Sequence, residues 1–305
     1  MVLEENENKI KNLENELLNL SPDDNRFKEV KAKLDKLKKE TYSNLTPWDK
    51  VCIARNEHRI KAKALVDKLV PDLFELHGDQ YYSDDASIYA GVGHLGDLPV
   101  TIIAQAKGSN LQENMKRNFG MTSPEGFRKS LRLAKEAEKF NRPIITIVDT
   151  SGAYPGKGAE ERGQARAIAE NLLEFSNLNV PVIALVLSEG GSGGALALTI
   201  SDYIYMFENA VYSVLSPEGF SSILFHDKIT AKEASDYMKM TASDLCEYGI
   251  VDEIIPEPLG GVKYLSDDYV NKIKTNLINK LKELLAKDKD ELLANRYNKY
   301  RKIGA

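Results

Sequence analysis

The chain has 305 residues, of which 42% are hydrophobic and 29% charged, with a formal net charge of -5. That length holds one large domain or two medium ones with ample core, and the acidic balance supplies no overall positive field for nucleic acid. The two cysteines, Cys52 and Cys246, match no CxxC spacing, which argues against a zinc site and for a reducing compartment. The acidic, polar start MVLEENENKIKN is no secretory signal, and no apolar run reaches membrane-spanning length, so the expectation is a soluble, cytoplasmic protein.

In chain order, Ile10, Leu13, Leu17 and Leu20 recur at helical spacing. Ser21-Pro22-Asp23-Asp24 then offers an N-cap, a first-turn proline and an acidic turn ahead of a second seam, Phe27, Val30, Leu34 and Leu37. A helical hairpin over 1–44 follows. Residues 45–80 read as helix broken by Pro71, with Trp48 as a packing anchor and Arg55 and Arg59 on a helix suited to a subunit interface. SIYAGVGHL and LPVTIIAQA make a β-hairpin about Gly96-Asp97. Strands at 143–150 and 181–189 alternate with helices at 123–140 and 158–178, as parallel β/α units do. DYIYMFE, VYSVLS and IVDEIIPE add short strands, and a Lys/Glu-rich helix over 266–300 carries Ile273, Leu277, Leu281 and Leu284 on one face. The division is thus 1–44, a core of 45–262, and a helical extension of 263–305.

Two glycine turns close apolar strands: Asp149-Thr150-Ser151-Gly152-Ala153-Tyr154-Pro155-Gly156 and Glu189-Gly190-Gly191-Ser192-Gly193-Gly194. Ligands of open α/β sheets bind at such strand ends. The second turn fails the Rossmann pattern, because Leu196 stands where a small residue is required, and it lacks the P-loop lysine. It does match G-x-S-x-G, the nucleophile elbow. Only His226 follows Ser192, 34 residues on, so a Ser192–His226 pair with Asp202, Glu208 or Glu218 is poorly spaced for a serine hydrolase. A plain packing turn is another reading. The backbone reading is favoured: Gly193, Gly194 and Ala195 open a helix whose first N–H groups lack acceptors, and an N–H such as that of Ala153 from the first turn makes a two-donor oxyanion hole.

DTSGAYPGKGAEERGQARAIAENL, EGGSGGALAL, YSVLSPEG, KRNFGMTSPEGFRKSLRLA and DEIIPEPLGG together resemble the α subunits of bacterial acetyl-coenzyme A carboxylase carboxyltransferase, from about Leu45 to Gly261. The resemblance implies an α/β, crotonase-like spiral of ββα units between an N-terminal helical hairpin and a C-terminal helical extension. It implies transfer of a carboxyl group from biotin on a carrier protein to acetyl-coenzyme A, giving malonyl-coenzyme A for fatty-acid synthesis. It also implies a β-subunit partner in an α2β2 assembly, a biotin carboxyl carrier protein and biotin carboxylase in the wider complex, and zinc only in the β subunit. Gly194, Ala195 and Ala153 would supply the N–H donors, Gly152 and Gly193 the room, and Ser192 no nucleophile. Tyr154, Arg162, Lys116 and Arg117 are the substrate-binding candidates: Arg162 for the carboxylate in transit, Lys116 and Arg117 for coenzyme A phosphates or carrier acids. A crotonase-type acyl-coenzyme A hydratase or isomerase built on Glu161 or Glu189 is the neighbouring alternative. Two positions depart from the family pattern: Ser151 stands where proline is usual, and Ile60 follows Arg59 where many relatives have proline.

Overall fold

A computed structural model describes residues 2–304. Its centre is one eight-stranded sheet of β1 Phe74–Glu75, β2 Ile88–Leu95, β3 Leu98–Gln105, β4 Ile144–Thr150, β5 Val182–Gly191, β6 Tyr203–Phe207, β7 Val211–Ser213 and β8 Glu253–Ile255. The order is β1-β2-β3-β4-β5-β6-β8, with β7 attached to β5. β2 pairs antiparallel with both β1 and β3, and all other strand pairings are parallel. The β2–β3 hairpin turns at Gly96-Asp97, where Gly96 takes φ +66.

The continuous apolar runs form buried strands covered on both faces. Along β4, Ile145 and Ile147 join one core cluster and Ile144 and Val148 the other, the two-residue period of a strand. One cluster is closed by Leu65, Val66 and Leu69 of helix Ala62–Leu69 and by Val270, Ile273, Leu277 and Leu281 of helix Asp267–Leu285. The other is closed by helix Pro124–Lys139 together with Phe175 and Leu198. The N-terminal hairpin, Val2–Leu18 and Asn25–Tyr42, has its own cluster of Leu3, Ile10, Leu34 and Tyr42, anchored on Ile53.

Several boundaries differ from those the residue pattern suggests. The second hairpin helix is capped by Asp24, which accepts from the Arg26 N–H, so Pro22 lies in the turn before it. The 45–80 stretch breaks earlier than Pro71, into Pro47–Arg55 and Ala62–Leu69, and then yields the short edge strand β1. The 158–178 helix divides into Lys157–Glu161 and Gln164–Ser176 at Gly163, whose φ of +81 no helix accommodates. The C-terminal helix likewise divides into Asp267–Leu285 and Lys289–Arg301, because the Asp288 side chain accepts from the Glu291 N–H and starts a new helix.

That last helix is fastened through Arg296. Its buried guanidinium donates to both carboxylate oxygens of Asp202 (2.7 and 2.9 Å) and to the carbonyls of Phe175, Leu178 and Val180. Among the described residues no helix is long and apolar enough to cross a membrane, and no cluster of three or more metal-ligating side chains occurs.

Candidate active site

The two glycine turns meet backbone to backbone. A Cβ at Gly191 would lie 2.1 Å from the Ser151 carbonyl oxygen, and one at Gly194 would lie 2.5 Å from the Ala153 nitrogen. Only glycine permits that approach. Gly152 takes φ +151, a conformation that side chains strain against. Thr150 Oγ1 fixes this turn, accepting from the Gly152 N–H and donating to the Gly152 carbonyl. At Gly193 a Cβ would meet only Ile168 at an ordinary 3.5 Å, so the steric role expected of Gly193 falls on Gly191 and Gly194.

Gly191 is the N-cap of helix Ser192–Thr199 and has no side chain to cap it. The N–H groups of Ser192, Gly193 and Gly194 therefore lack intrahelical acceptors, and the Ala195 N–H makes no hydrogen bond to the Gly191 carbonyl either. Across the contact, the Ala153 N–H makes no hydrogen bond with any described residue: its neighbours Gly152 and Tyr154 donate to Thr150 Oγ1 and the Thr122 carbonyl. Buried Gln105, at the end of β3, donates from Nε2 to the Gly194 carbonyl at 2.8 Å and holds the helix start in place. The arrangement is an N–H-lined site at the positive end of a helix, able to stabilise an oxygen anion.

The residue motifs assemble around this contact. The KRNFGM segment packs under the first turn: a Cβ at Gly120 would lie 2.9 Å from the Asp149 carbonyl, and Thr122 bridges Ala153. Gln164 of the ERGQ segment donates to the Thr122 and Tyr154 carbonyls, tying both to the turn. The IIPEPLGG segment reaches Arg59, which is buried and paired with Glu257, and which also donates to the Leu187 carbonyl and Ser188 Oγ. Arg59 is therefore an internal tie lying outside any helix, and the interface role expected of it does not hold.

The charged candidates are mostly engaged elsewhere. Arg162 pairs with Glu125 at 2.7 Å and lies over the Tyr82 ring, 4.8 Å from its centroid. Arg117 donates to the Ala86 carbonyl, whereas Lys116 is exposed and pairs with no described residue. The Tyr154 ring is packed on Gly156, where a Cβ would lie 2.4 Å from Cε1. Glu161 is exposed, 3.5 Å from Lys157.

Glu189 is half-buried between Lys107 and Arg55, each at 2.7 Å. Burial opposes its charge, but those two cations hold its carboxyl below the ordinary range, so it is not poised to take a proton. Neither glutamate required by the hydratase reading is placed as a base. Ser192 has φ +53 but forms no hydrogen bond with a histidine, and exposed His226 caps helix Pro217–Phe225. No nucleophile–base pair is therefore assembled.

Residue spacing gave no sign of Lys107 or Gln105, and it placed Gly191 in the second turn without a role of its own. Beside Ser192 and Gly193 opens a cavity of about 600 Å³ lined by apolar side chains including Leu196, Val214, Phe220 and Leu224.

A family model described as acetyl co-enzyme A carboxylase carboxyltransferase-like matches residues 2–304. The acetyl-coenzyme A carboxylase carboxyl transferase subunit alpha of Anoxybacillus flavithermus is 50% identical over 275 residues, 90% of this chain and 85% of that one. Its namesake in Clostridium acetobutylicum is 52% identical over 265 residues, 87% of this chain and 97% of that one. Among solved structures, a Pseudomonas malonate decarboxylase hetero-tetramer in complex with coenzyme A aligns with a TM-score of 0.61 at 18% identity, over 76% of this chain and 90% of that one. Transcarboxylase 12S, with hydrolysed methylmalonyl-coenzyme A bound, aligns with a TM-score of 0.58 at 23% identity, over 76% of this chain and 42% of that one. At these identities the two structures bear on the fold alone.

Proposed function

This chain belongs to the family of acetyl-coenzyme A carboxylase carboxyltransferase α subunits, and from that premise we propose how its paired glycine turns serve carboxyl transfer. Its fold is crotonase-like, a parallel-rich sheet with helices on both faces. In this reading, carboxyl moves from biotin on a carrier protein to acetyl-coenzyme A, and malonyl-coenzyme A is the product. Biotin supplies a ureido ring that carries the carboxyl group and takes negative charge on its oxygen when the group leaves.

The observation that carries the reading is the abutment of Gly194 on Ala153, which sets an unpaired N–H of one turn beside the helix start of the other. The Gly194, Ala195 and Ala153 N–H groups form the hole for that oxygen. Each donor contributes about 3 kcal/mol of transition-state stabilisation when it is already in place. The helix Ser192–Thr199 adds its positive end. Gly152, through its φ, and Gly191 and Gly194, through lack of a Cβ, keep the donors at the surface of the turn. No side-chain base is required of this chain, because the released ureido anion is itself basic enough to receive the methyl proton of the acetyl group. Lys116, exposed and unpaired among the described residues, is the candidate for coenzyme A phosphates or carrier carboxylates. Arg162, Arg117 and Tyr154 act here by shaping the loops that they hold.

A β subunit completes the site, in an α2β2 assembly whose zinc lies in β. The biotin carboxyl carrier protein and biotin carboxylase are the further partners, and the compartment is the cytoplasm. The test is carboxyl transfer from malonyl-coenzyme A to biocytin by this chain, by its β subunit, and by the mixture. Activity in the mixture alone is the expected result. Esterase activity and fluorophosphonate labelling of this chain alone, with an inactive mixture, would return the argument to Ser192.

A further inference from the structure

The ends of β4 and β5, from which the two turns spring, are not held to each other by a regular ladder. Val148 pairs with Val186, and the next registered pair is Thr150 with Gly190. Leu187, Ser188 and Glu189 therefore face Asp149 alone, a bulge at the point where the strands must fix the separation of the turns. Cations from outside both strands bind this bulge. Arg59 takes the Leu187 carbonyl and Ser188 Oγ. Lys107, two residues beyond the end of β3, crosses it, with its ammonium 3.0 Å from Asp149 and 2.7 Å from Glu189.

We propose that Lys107 is a positioning residue for carboxyl transfer: one ammonium clamps the carboxylates at the roots of both glycine turns and so sets the width of the N–H hole. The inference rests on the function proposed above. Asp149 lies four residues before Ala153, and Glu189 five before Gly194, so a change in their separation passes along short, tightly packed segments to the donors. The clamp is enclosed. A Cβ at Gly120 would lie 2.8 Å from Lys107 Cγ, so the NFG turn lies against the lysine stem. Asn118, Phe119 and Gly120 all take positive φ, at +47, +55 and +80, to bring that glycine in.

The charges alternate outward from the clamp. Asp149 meets Lys107, Lys107 meets Glu189, Glu189 meets Arg55, and Arg55 meets Glu218 at 2.7 Å on helix Pro217–Phe225. The remaining charged neighbours are Arg59 and Lys61, and burial lowers the pKa of Lys61. Burial also works against the charge of Lys107, yet the two carboxylates raise its pKa and favour the ammonium form.

Lys107→Met keeps the stem and removes the charge. Asp149 and Glu189 then lose the cation that bridges them, and Glu189 keeps only Arg55. In the complex with the β subunit, the variant is expected to lose about 10- to 100-fold in kcat, with KM for malonyl-coenzyme A changed by less than about threefold, because the donors act on the transition state. A fall in kcat at nearly constant KM is a split that a general loss of packing would not give. Lys107→Arg keeps the charge but not the point geometry of the ammonium, and is expected to restore kcat only in part.

Should Lys107→Met fail to assemble, Lys107→Met/Asp149→Asn leaves Glu189 paired with Arg55 and tests the same clamp. A folded double variant with reduced kcat supports the proposal, and one with wild-type kcat overturns it. Wild-type kcat in a folded, assembled Lys107→Met would also overturn it while leaving the proposed function intact. An inactive wild-type complex would instead remove the function on which it rests.

Discussion

Gly194→Ala against Gly193→Ala separates a backbone site from a merely glycine-rich turn. The alanine methyl at 194 would sit 2.5 Å from the Ala153 nitrogen and 2.6 Å from the Gly152 carbonyl carbon. Ordinary contact begins near 3.5 Å, so the turns must part by roughly 1 Å, a displacement large enough to reduce a positioned reaction by about 100-fold. That equals about 2.7 kcal/mol, close to the loss of one oxyanion donor. Overpacking adds about 1–3 kcal/mol of destabilisation.

At 193 the methyl meets only Ile168 at 3.5 Å, the backbone is not left-handed, and the N–H is retained. Exchange of glycine for alanine inside a helix there is neutral or stabilising by up to about 1 kcal/mol. The assay is malonyl-coenzyme A to biocytin transfer by each variant complexed with the β subunit, with assembly checked by size-exclusion chromatography and Tm by calorimetry. Gly194→Ala is expected to assemble and to lose kcat, and Gly193→Ala to retain it. Retained kcat in Gly194→Ala, or equal loss in both, would refute the two-turn hole.

Ser192→Ala should keep carboxyl transfer within about threefold of wild type, since an activated serine is not part of the chemistry; a loss matching that of a nucleophile would reinstate the elbow. Arg296→Met strips Asp202 of its cation and three carbonyls of their donor, and should destabilise the fold by about 3–5 kcal/mol. Urea unfolding measures this, and a shift below about 1 kcal/mol would contradict it. Burial works against the charge of Asp84, but Lys129, the Gly78 N–H and His77 hold its carboxyl down to about 2. A lowered native pKa gives stability that is full above the unfolded value of about 3.9 and lost as pH falls through the native one. Stability of Asp84→Asn should therefore decline less steeply than wild type between these values, and superimposable acid-unfolding curves would exclude the contribution.

Local sequence carried what local physics decides. Continuous apolar runs specified the buried strands β4 and β5, helical spacing specified the hairpin and the packed face of Ile273, Leu277 and Leu281, and Gly96-Asp97 specified the β2–β3 turn. The glycines of both turns marked the site, because backbone donors at a helix start require residues without side chains. Helix breaks at Gly163 and Asp288 were less legible, since one left-handed residue or one capping carboxylate interrupts a periodicity that otherwise continues.

Which glycine does what was settled only by the tertiary fold. The family resemblance implied Gly193 as a spacer, but the direction of each absent Cβ, set by the path of the opposing turn, gives that role to Gly191 and Gly194. Arg162 reads as a free guanidinium until Glu125 arrives from 37 residues away. Lys107 has no motif at all: its partners Asp149 and Glu189 are 42 and 82 residues distant, and only the parallel order β3-β4-β5 brings the three strand ends together. Spacing along a chain encodes which face a residue occupies. Which charge it meets there depends on how strands far apart in sequence are paired.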